Sequence, residues 1–154
     1  MKRLNIGCGT DIRPDCINID IRNLEGVDLM CDVMELDLLL ENNSIDEVLA
    51  FDIIEHVGFR DTNFLLKKIY DILKPGGRLI ARVPDARHHA EQYLAGRYAC
   101  EDFAYWMYGA QDYEHNFHKT CFDAASISRH LQSVGFSRVT TRPDGVNFIA
   151  EAYK

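Results

Sequence analysis

The chain has no apolar run near the roughly 18 residues that a membrane-crossing helix needs, so no membrane partner is expected. It has no basic stripe either. Its 17 Lys and Arg against 24 Asp and Glu give a formal charge of −7, which argues against nucleic acid phosphates as a partner. The five cysteines, at positions 8, 16, 31, 100 and 121, are odd in number and lack close-paired metal spacing. They read as reduced thiols of a cytoplasmic protein. Glycine already appears at position 7, so no secretory leader is expected. Repeats, linkers and low-complexity segments are absent. What remains, 154 residues with 47% apolar and 27% charged, is the composition of one globular domain with one core.

The most informative stretch is the first twenty residues. Arg3-Leu4-Asn5-Ile6 alternates as a strand and runs into Gly7-Cys8-Gly9, where missing side chains let the backbone turn tightly and a ligand come close. Ile17-Asn18-Ile19-Asp20-Ile21 alternates again and ends near an acid that could accept from a ribose diol. Together they read as half a nucleoside pocket. An ordinary glycine turn beside a strand-end Asp is the alternative.

Further along, Asp28 to Cys31 reads as a third strand, and Asp32-Val33-Met34-Glu35 as a capping box opening a short helix to about Leu40. Glu47 to Phe51 is strand four and Asp52 to His56 its exit. Asp61 or Thr62 caps a helix whose Leu65, Leu66, Ile69, Ile72 and Leu73 share one face. Lys74-Pro75-Gly76-Gly77 stops it, and Arg78 to Val83 is strand five. Residues 85 to 122 differ in composition, holding nine of the sixteen aromatics and four of the six histidines. Asp85 caps a helix to Leu94, Phe103 to Tyr108 is a second short helix, and Gln111 to Lys119 is loop. Asp123 caps the last helix, and 136–153 form a closing hairpin. The 85–122 segment reads as a lid or substrate insertion within the single domain.

The links between the first three strands, about seven and six residues, are shorter than the roughly dozen residues of a helical crossover. Right-handed crossovers put the remaining helices on one sheet face if the order is 3-2-1-4-5. The other face would carry Arg3, Asn5, Asn18, Arg22, Arg78 and Arg82. It could be solvated, form a homodimer interface, or lie beneath the 85–122 segment.

Leu4-Asn5-Ile6-Gly7-Cys8-Gly9, Asp20, Cys31-Asp32-Val33, Phe51-Asp52-Ile53-Ile54-Glu55-His56-Val57, Leu73-Lys74-Pro75-Gly76-Gly77-Arg78-Leu79 and Leu131-x-x-x-Gly135-Phe136 together resemble class I S-adenosylmethionine-dependent methyltransferases, in their type-11 branch. The resemblance covers residues 4 to 136. It implies a Rossmann-like α/β fold with a mostly parallel seven-stranded sheet, order 3-2-1-4-5-7-6, one face short of helices and S-adenosyl-L-methionine as cofactor. It also implies that Asn5, Gly7, Cys8 and Gly9 pass the methionine and ribose parts. Asp20 and Ile21 would meet the ribose, Asp32 and Val33 the adenine, and Phe51, Asp52 and Ile53 the methyl. Asn5 stands where the family usually has an acid, and the helix after the glycine loop is missing. A short subfamily found among sugar and surface-polysaccharide genes looks similar, including its counterpart of 108–119.

A sulfonium methyl is already activated, so the protein must align the nucleophile and supply a base if the acceptor is a hydroxyl. No metal is required. The base candidates are His118 and His115, with Asp112 or Asp85 as orienting carboxylate and Tyr113 nearby; Asp112, His115 and His118 could instead hold a metal. Glu55 and His56 read as structural, capping or hydrogen-bonding the loop. Tyr105, Trp106 and Tyr108 could stack on a sugar ring or form core. The expected activity is methyl transfer to O or N of a small molecule, with a saccharide-type acceptor. The alternative is a binding module of the same fold without transfer. A nicotinamide enzyme is disfavoured because Gly7-x-Gly9 lacks a third glycine and a following helix.

Overall fold

The alternating strands assemble as one sheet. The computed structural model describes all residues, 1–154. Its strands are β1 (Arg3–Ile6), β2 (Ile17–Asp20), β3 (Leu29–Met30), β4 (Ile45–Phe51), β5 (Leu73–Pro84), β6 (Ser137–Asp144) and β7 (Asn147–Tyr153). They lie in the order β3-β2-β1-β4-β5-β7-β6. Strands β1 to β5 pair in parallel, and β7 runs antiparallel to both β5 and β6.

Register explains why the alternation matters. Leu4, Val48, Leu79 and Ala152 form one row across the sheet, and Ile6, Ala50, Ala81 and Ala150 the next. All eight are buried. Helices α1 (Leu36–Leu39), α2 (Thr62–Ile72) and α5 (Ala124–Ser133) lie on this face, with Leu65, Leu66, Ile69, Ile127 and Leu131 in the shared core. Asp123 caps α5 reciprocally with Ser126, whose amide donates to Oδ1 at 2.6 Å.

The opposite face has no helix stacked on it, and it differs from the expected row of free polar groups. Arg3, Glu47, Arg78 and Tyr153 are in register. Glu47 is 1% exposed and held between the two arginines, which stay half-buried at the water boundary. Asn5 and Asn18 are buried under the segment joining β1 to β2. Arg22 and Arg82 turn instead to the carboxyl edge, pairing with Asp20 and Asp52. Only Arg3 and Arg78 of the six expected residues stand half-exposed on the open sheet.

Several boundaries moved, β3 shrinking to Leu29–Met30 and β4 starting two residues early at Ile45. Helix α2 passes straight into β5 at Leu73, because the Lys74–Gly77 stretch pairs with the end of the chain: the Gly76 amide donates to the Lys154 carbonyl and the Lys154 amide to Gly77, both at 3.0 Å. Asp61 occupies the cap position of α2 without a capping hydrogen bond. The expected helix after Asp32 is a 3₁₀ turn, Val33–Glu35, followed by the single turn α1. Within 85–122, α3 (Ala86–Leu94) is capped by Asp85, and α4 (Cys100–Tyr108) starts three residues before Phe103 because Asp102 accepts from the Ala99 amide at 2.9 Å. The two helices meet through Tyr93 on Phe103 and through buried His89 stacked on Trp106, 4.4 Å between ring centres.

Candidate active site

The carboxyl ends of β1, β2 and β4 and the 110–119 loop surround two adjoining clefts. The glycine turn forms the floor. Gly7 has a φ of +61°, and a Cβ there would lie 2.5 Å from the Ile53 side chain, so only glycine lets β1 and the β4 exit approach this closely. The Cys8 amide donates to the Ile19 carbonyl, and the Gly9 amide donates to Asp20 Oδ2 at 2.7 Å. Asp20 also accepts from the Arg22 amide at 2.9 Å and from Arg22 Nε at 3.1 Å. Burial works to raise its pKa, but these hydrogen bonds outweigh it and hold the carboxyl below the usual range. Burial pushes the Cys8 thiol up to about 11, so it stays protonated and inert.

One cleft, about 220 Å³, runs along Asp20, Ile21, Cys31, Asp32, Val33 and Met34. Asp32 uses Oδ1 to accept from the Met34 amide at 2.9 Å, so the capping role is real and the residue still faces the cleft. The second, about 320 Å³, opens between the glycine turn and the 105–118 residues, with Phe51, Arg82, Tyr105, Trp106, Asn116 and Asn147 on its walls. Gly7, Arg22, Asp52, His56 and Tyr113 line both. Asp52 sits in the left-handed region, φ 54°, and is paired with Arg82, whose guanidinium also lies 5.3 Å from the Phe51 ring centre. Asn5 lines the second cleft, yet its amide donates to the Asp11 carbonyl at 2.7 Å and to Asn18 Oδ1 at 3.1 Å, so its amide hydrogens hold the β1–β2 loop.

A methyltransferase domain model matches residues 1–141. The chain belongs to the methyltransferase domain family. S-adenosyl-L-methionine is its cofactor and methyl transfer its chemistry. Among solved structures, it is similar to a SAM-dependent methyltransferase from Archaeoglobus fulgidus (TM-score 0.69, 16% identity, 99% of this chain and 86% of that one). It is also similar to a SAM-dependent methyltransferase from Thermotoga maritima (TM-score 0.67, 19%, 99% and 82%). A third is the 1,6-didemethyltoxoflavin-N1-methyltransferase of Burkholderia thailandensis, solved with 1,6-didemethyltoxoflavin and S-adenosylhomocysteine bound (TM-score 0.66, 14%, 99% and 70%). No curated protein matches this chain.

In this methyltransferase the sequence-derived cofactor positions converge. Gly7, Cys8, Gly9, Asp20, Ile21, Asp32, Val33, Phe51, Asp52 and Ile53 all line one or both clefts. The base candidates separate. His118 lines the second cleft, half-buried, and burial lowers its pKa. His115 is exposed at the rim of the first. Asp112 is exposed, lines neither, accepts from Asn116 Nδ2 at 2.5 Å and bonds to neither histidine.

Glu55 departs most from expectation. It caps nothing: the turn Ile54–His56 has no side-chain cap, and both Glu55 carboxylate oxygens are buried without a hydrogen-bond partner. Burial pushes its pKa up to about 8. Its main chain does hold the loop, since the Glu55 carbonyl accepts from the Lys119 amide at 2.8 Å and the Thr120 amide at 3.2 Å. Sequence reasoning also left out Arg82, Asn116 and Asn147 as cleft residues. Arg82 carried a signal, a charged residue near the carboxyl end of β5 on the face opposite Leu79, Ala81 and Val83, whereas Asn116 and Asn147 carried none.

Proposed function

We infer that this methyltransferase moves the methyl of S-adenosylmethionine to an oxygen or nitrogen of a small, polar, saccharide-type molecule. The observation that carries the reading is the shared wall of the two clefts. The adenosyl group fits the cleft along Asp20, Asp32 and Val33, and the acceptor fits the cleft walled by Tyr105, Trp106, Asn116 and Asn147. The sulfonium methyl then emerges where both meet, at Gly7, Asp52 and His56. Aromatic faces beside amide groups suit a sugar ring, which presents C–H patches and hydroxyls together. The 85–122 segment serves as the insertion that builds the acceptor side.

Within this reading His118 is the base for an acceptor hydroxyl. The nucleophile's lone pair forms the bond to the methyl carbon, the carbon–sulfur pair stays on sulfur, and the proton goes to the base. His115 and Asp112 have no part in it, because neither lies at the junction. The enzyme would act in the reducing cytoplasm, which suits five unpaired thiols. Homodimerisation through the helix-poor face is the remaining element. A dimer there would have to seat Arg3 and Arg78 without breaking their pairing to Glu47, and sedimentation velocity distinguishes it from a monomer.

The deciding experiment is calorimetric titration with S-adenosylmethionine and S-adenosylhomocysteine, with Asp20→Ala alongside, followed by transfer of labelled methyl to a panel of free and nucleotide-linked saccharides. Micromolar binding lost in Asp20→Ala, with label in a saccharide, supports the reading. Binding without transfer to any acceptor favours the second reading, a cofactor-binding module, for which the committed Asn5 amide speaks. No binding overturns both.

A further inference from the structure

Three side chains at the cleft junction, the base candidate His118 among them, form a constellation larger than a single general base needs. Oxygen and nitrogen atoms of Glu55, His56 and His118 all lie within 4.8 Å of one another, and the two imidazoles meet edge-on, 5.0 Å between centres. Each histidine places Nδ1 against a main-chain carbonyl, His56 on Phe117 at 3.0 Å and His118 on Trp106 at 2.9 Å. A carbonyl only accepts, so each Nδ1 carries the hydrogen and each Nε2 keeps its lone pair. Metal-binding histidines are commonly oriented in this way, with the second nitrogen held by a carbonyl. The third member, Glu55, is 1% exposed and has no partner for either oxygen. A buried carboxylate is tolerated when it is paired or binds a cation. Arg82 does not supply that cation, because it is engaged by Asp52 and Asp144.

We propose that Glu55, His56 and His118 bind one divalent first-row transition-metal ion at the junction of the two clefts. Two imidazoles and one carboxylate select such an ion over magnesium or calcium, which prefer all-oxygen shells. Three protein ligands leave coordination positions open to the second cleft, as in catalytic rather than structural sites. The site resting on one loop contact is consistent with this: the Lys119 and Thr120 amides bonded to the Glu55 carbonyl bring His118 onto the Ile54–His56 turn. The proposal deepens the methyl-transfer reading and rests on it for its chemistry. An acceptor hydroxyl on the ion would lose its proton to water more readily. Its oxygen would then bond the methyl carbon as the carbon–sulfur pair passes to sulfur. The Nε2 lone pair of His118 serves one partner, so the ion replaces His118 as the activating group.

The test uses the full chain, free of affinity tags and stripped of metal, titrated with Co²⁺ followed by visible d–d absorption and calorimetry. S-adenosylhomocysteine binding is measured on the same preparation. The expected result is one Co²⁺ per chain with nitrogen-ligand absorption, weakened by more than about 100-fold in Glu55→Gln and in His118→Gln, because losing a ligand costs more than the roughly 10- to 100-fold of losing a ligand's hydrogen-bonded partner, and unchanged in His115→Gln. Variants that still bind S-adenosylhomocysteine are folded; if neither does, stoichiometric Co²⁺ binding by the native chain, competed by Zn²⁺, carries the test. No binding by the native chain, or equal binding by folded Glu55→Gln and His118→Gln, overturns the metal site. Co²⁺ binding without S-adenosylhomocysteine binding keeps the site and overturns the methyl-transfer reading.

Discussion

The Arg22 guanidinium lies 4.3 Å from the centre of the Tyr113 ring while its Nε donates to Asp20. One side chain therefore ties the 110–119 loop to the carboxylate at the tip of β2, across both clefts. Removing only the ring, in Tyr113→Leu, should weaken S-adenosylhomocysteine binding about 2- to 5-fold, the value of an exposed cation–π contact of about 0.5–1 kcal/mol. Calorimetry checks it. A variant with native affinity would show that the loop does not clamp the cofactor.

Gly7→Ala meets two obstacles, a φ of +61° and an Ile53 carbon 2.5 Å from the new methyl. We expect destabilisation of about 1–3 kcal/mol in urea unfolding, with cofactor binding lost. Adding Ile53→Ala relieves the contact and leaves the backbone strain, so the double variant should regain part of the difference between Gly7→Ala and Ile53→Ala. No recovery would refute the contact.

His89 is fully buried and stacked on Trp106, and burial lowers its pKa to about 4. The unfolded chain, with an ordinary histidine near 6.5, binds more protons between those values, so stability falls as pH drops through that window. Wild type should lose up to about 3 kcal/mol between pH 7 and pH 4 relative to His89→Phe, which keeps the stack and cannot titrate. The difference between the two chains cancels the other groups, including neighbouring His88 and Asp85. Parallel urea midpoints across that range would exclude the effect.

Glu47 is buried between Arg3, at 2.5 Å, and Arg78. Glu47→Gln keeps the shape and removes the charge, leaving two half-exposed guanidiniums beside a neutral group. The expected loss is about 1–3 kcal/mol, below that of a fully buried pair because water reaches both arginines. Sedimentation should be unchanged if the face is solvated. A shift in sedimentation would place this row in a subunit contact.

The fold was legible because its signals are local. Leu4, Ile6, Ile17 and Ile19 alternate within a few residues, and the links after Gly9 and Arg22 are too short for helices, so the strands and the helix-free first links follow from period and chain length, whereas the strand order, and with it the one-sided placement of helices, comes from the family resemblance. Asp85 and Asp123 likewise cap the next turn, within reach of their own backbone. The helix ends before Lys74–Gly77 as expected, but that stretch is strand and not turn, because its partner is the far end of the chain, Lys154.

The sequence by itself determined the sheet, the glycine turn at Gly7 and Gly9, and the acids Asp20 and Asp32, because each is a short-range pattern of backbone freedom, polarity and spacing. Only the tertiary structure decided what meets at the junction. His118 reaches Glu55 and His56 through main-chain hydrogen bonds between segments far apart in sequence, while Asp112 and His115, its near neighbours in the chain, face outward. Whether Glu55 has a partner is likewise a property of packing: the fold closes around a carboxylate and supplies no donor, which no local pattern encodes.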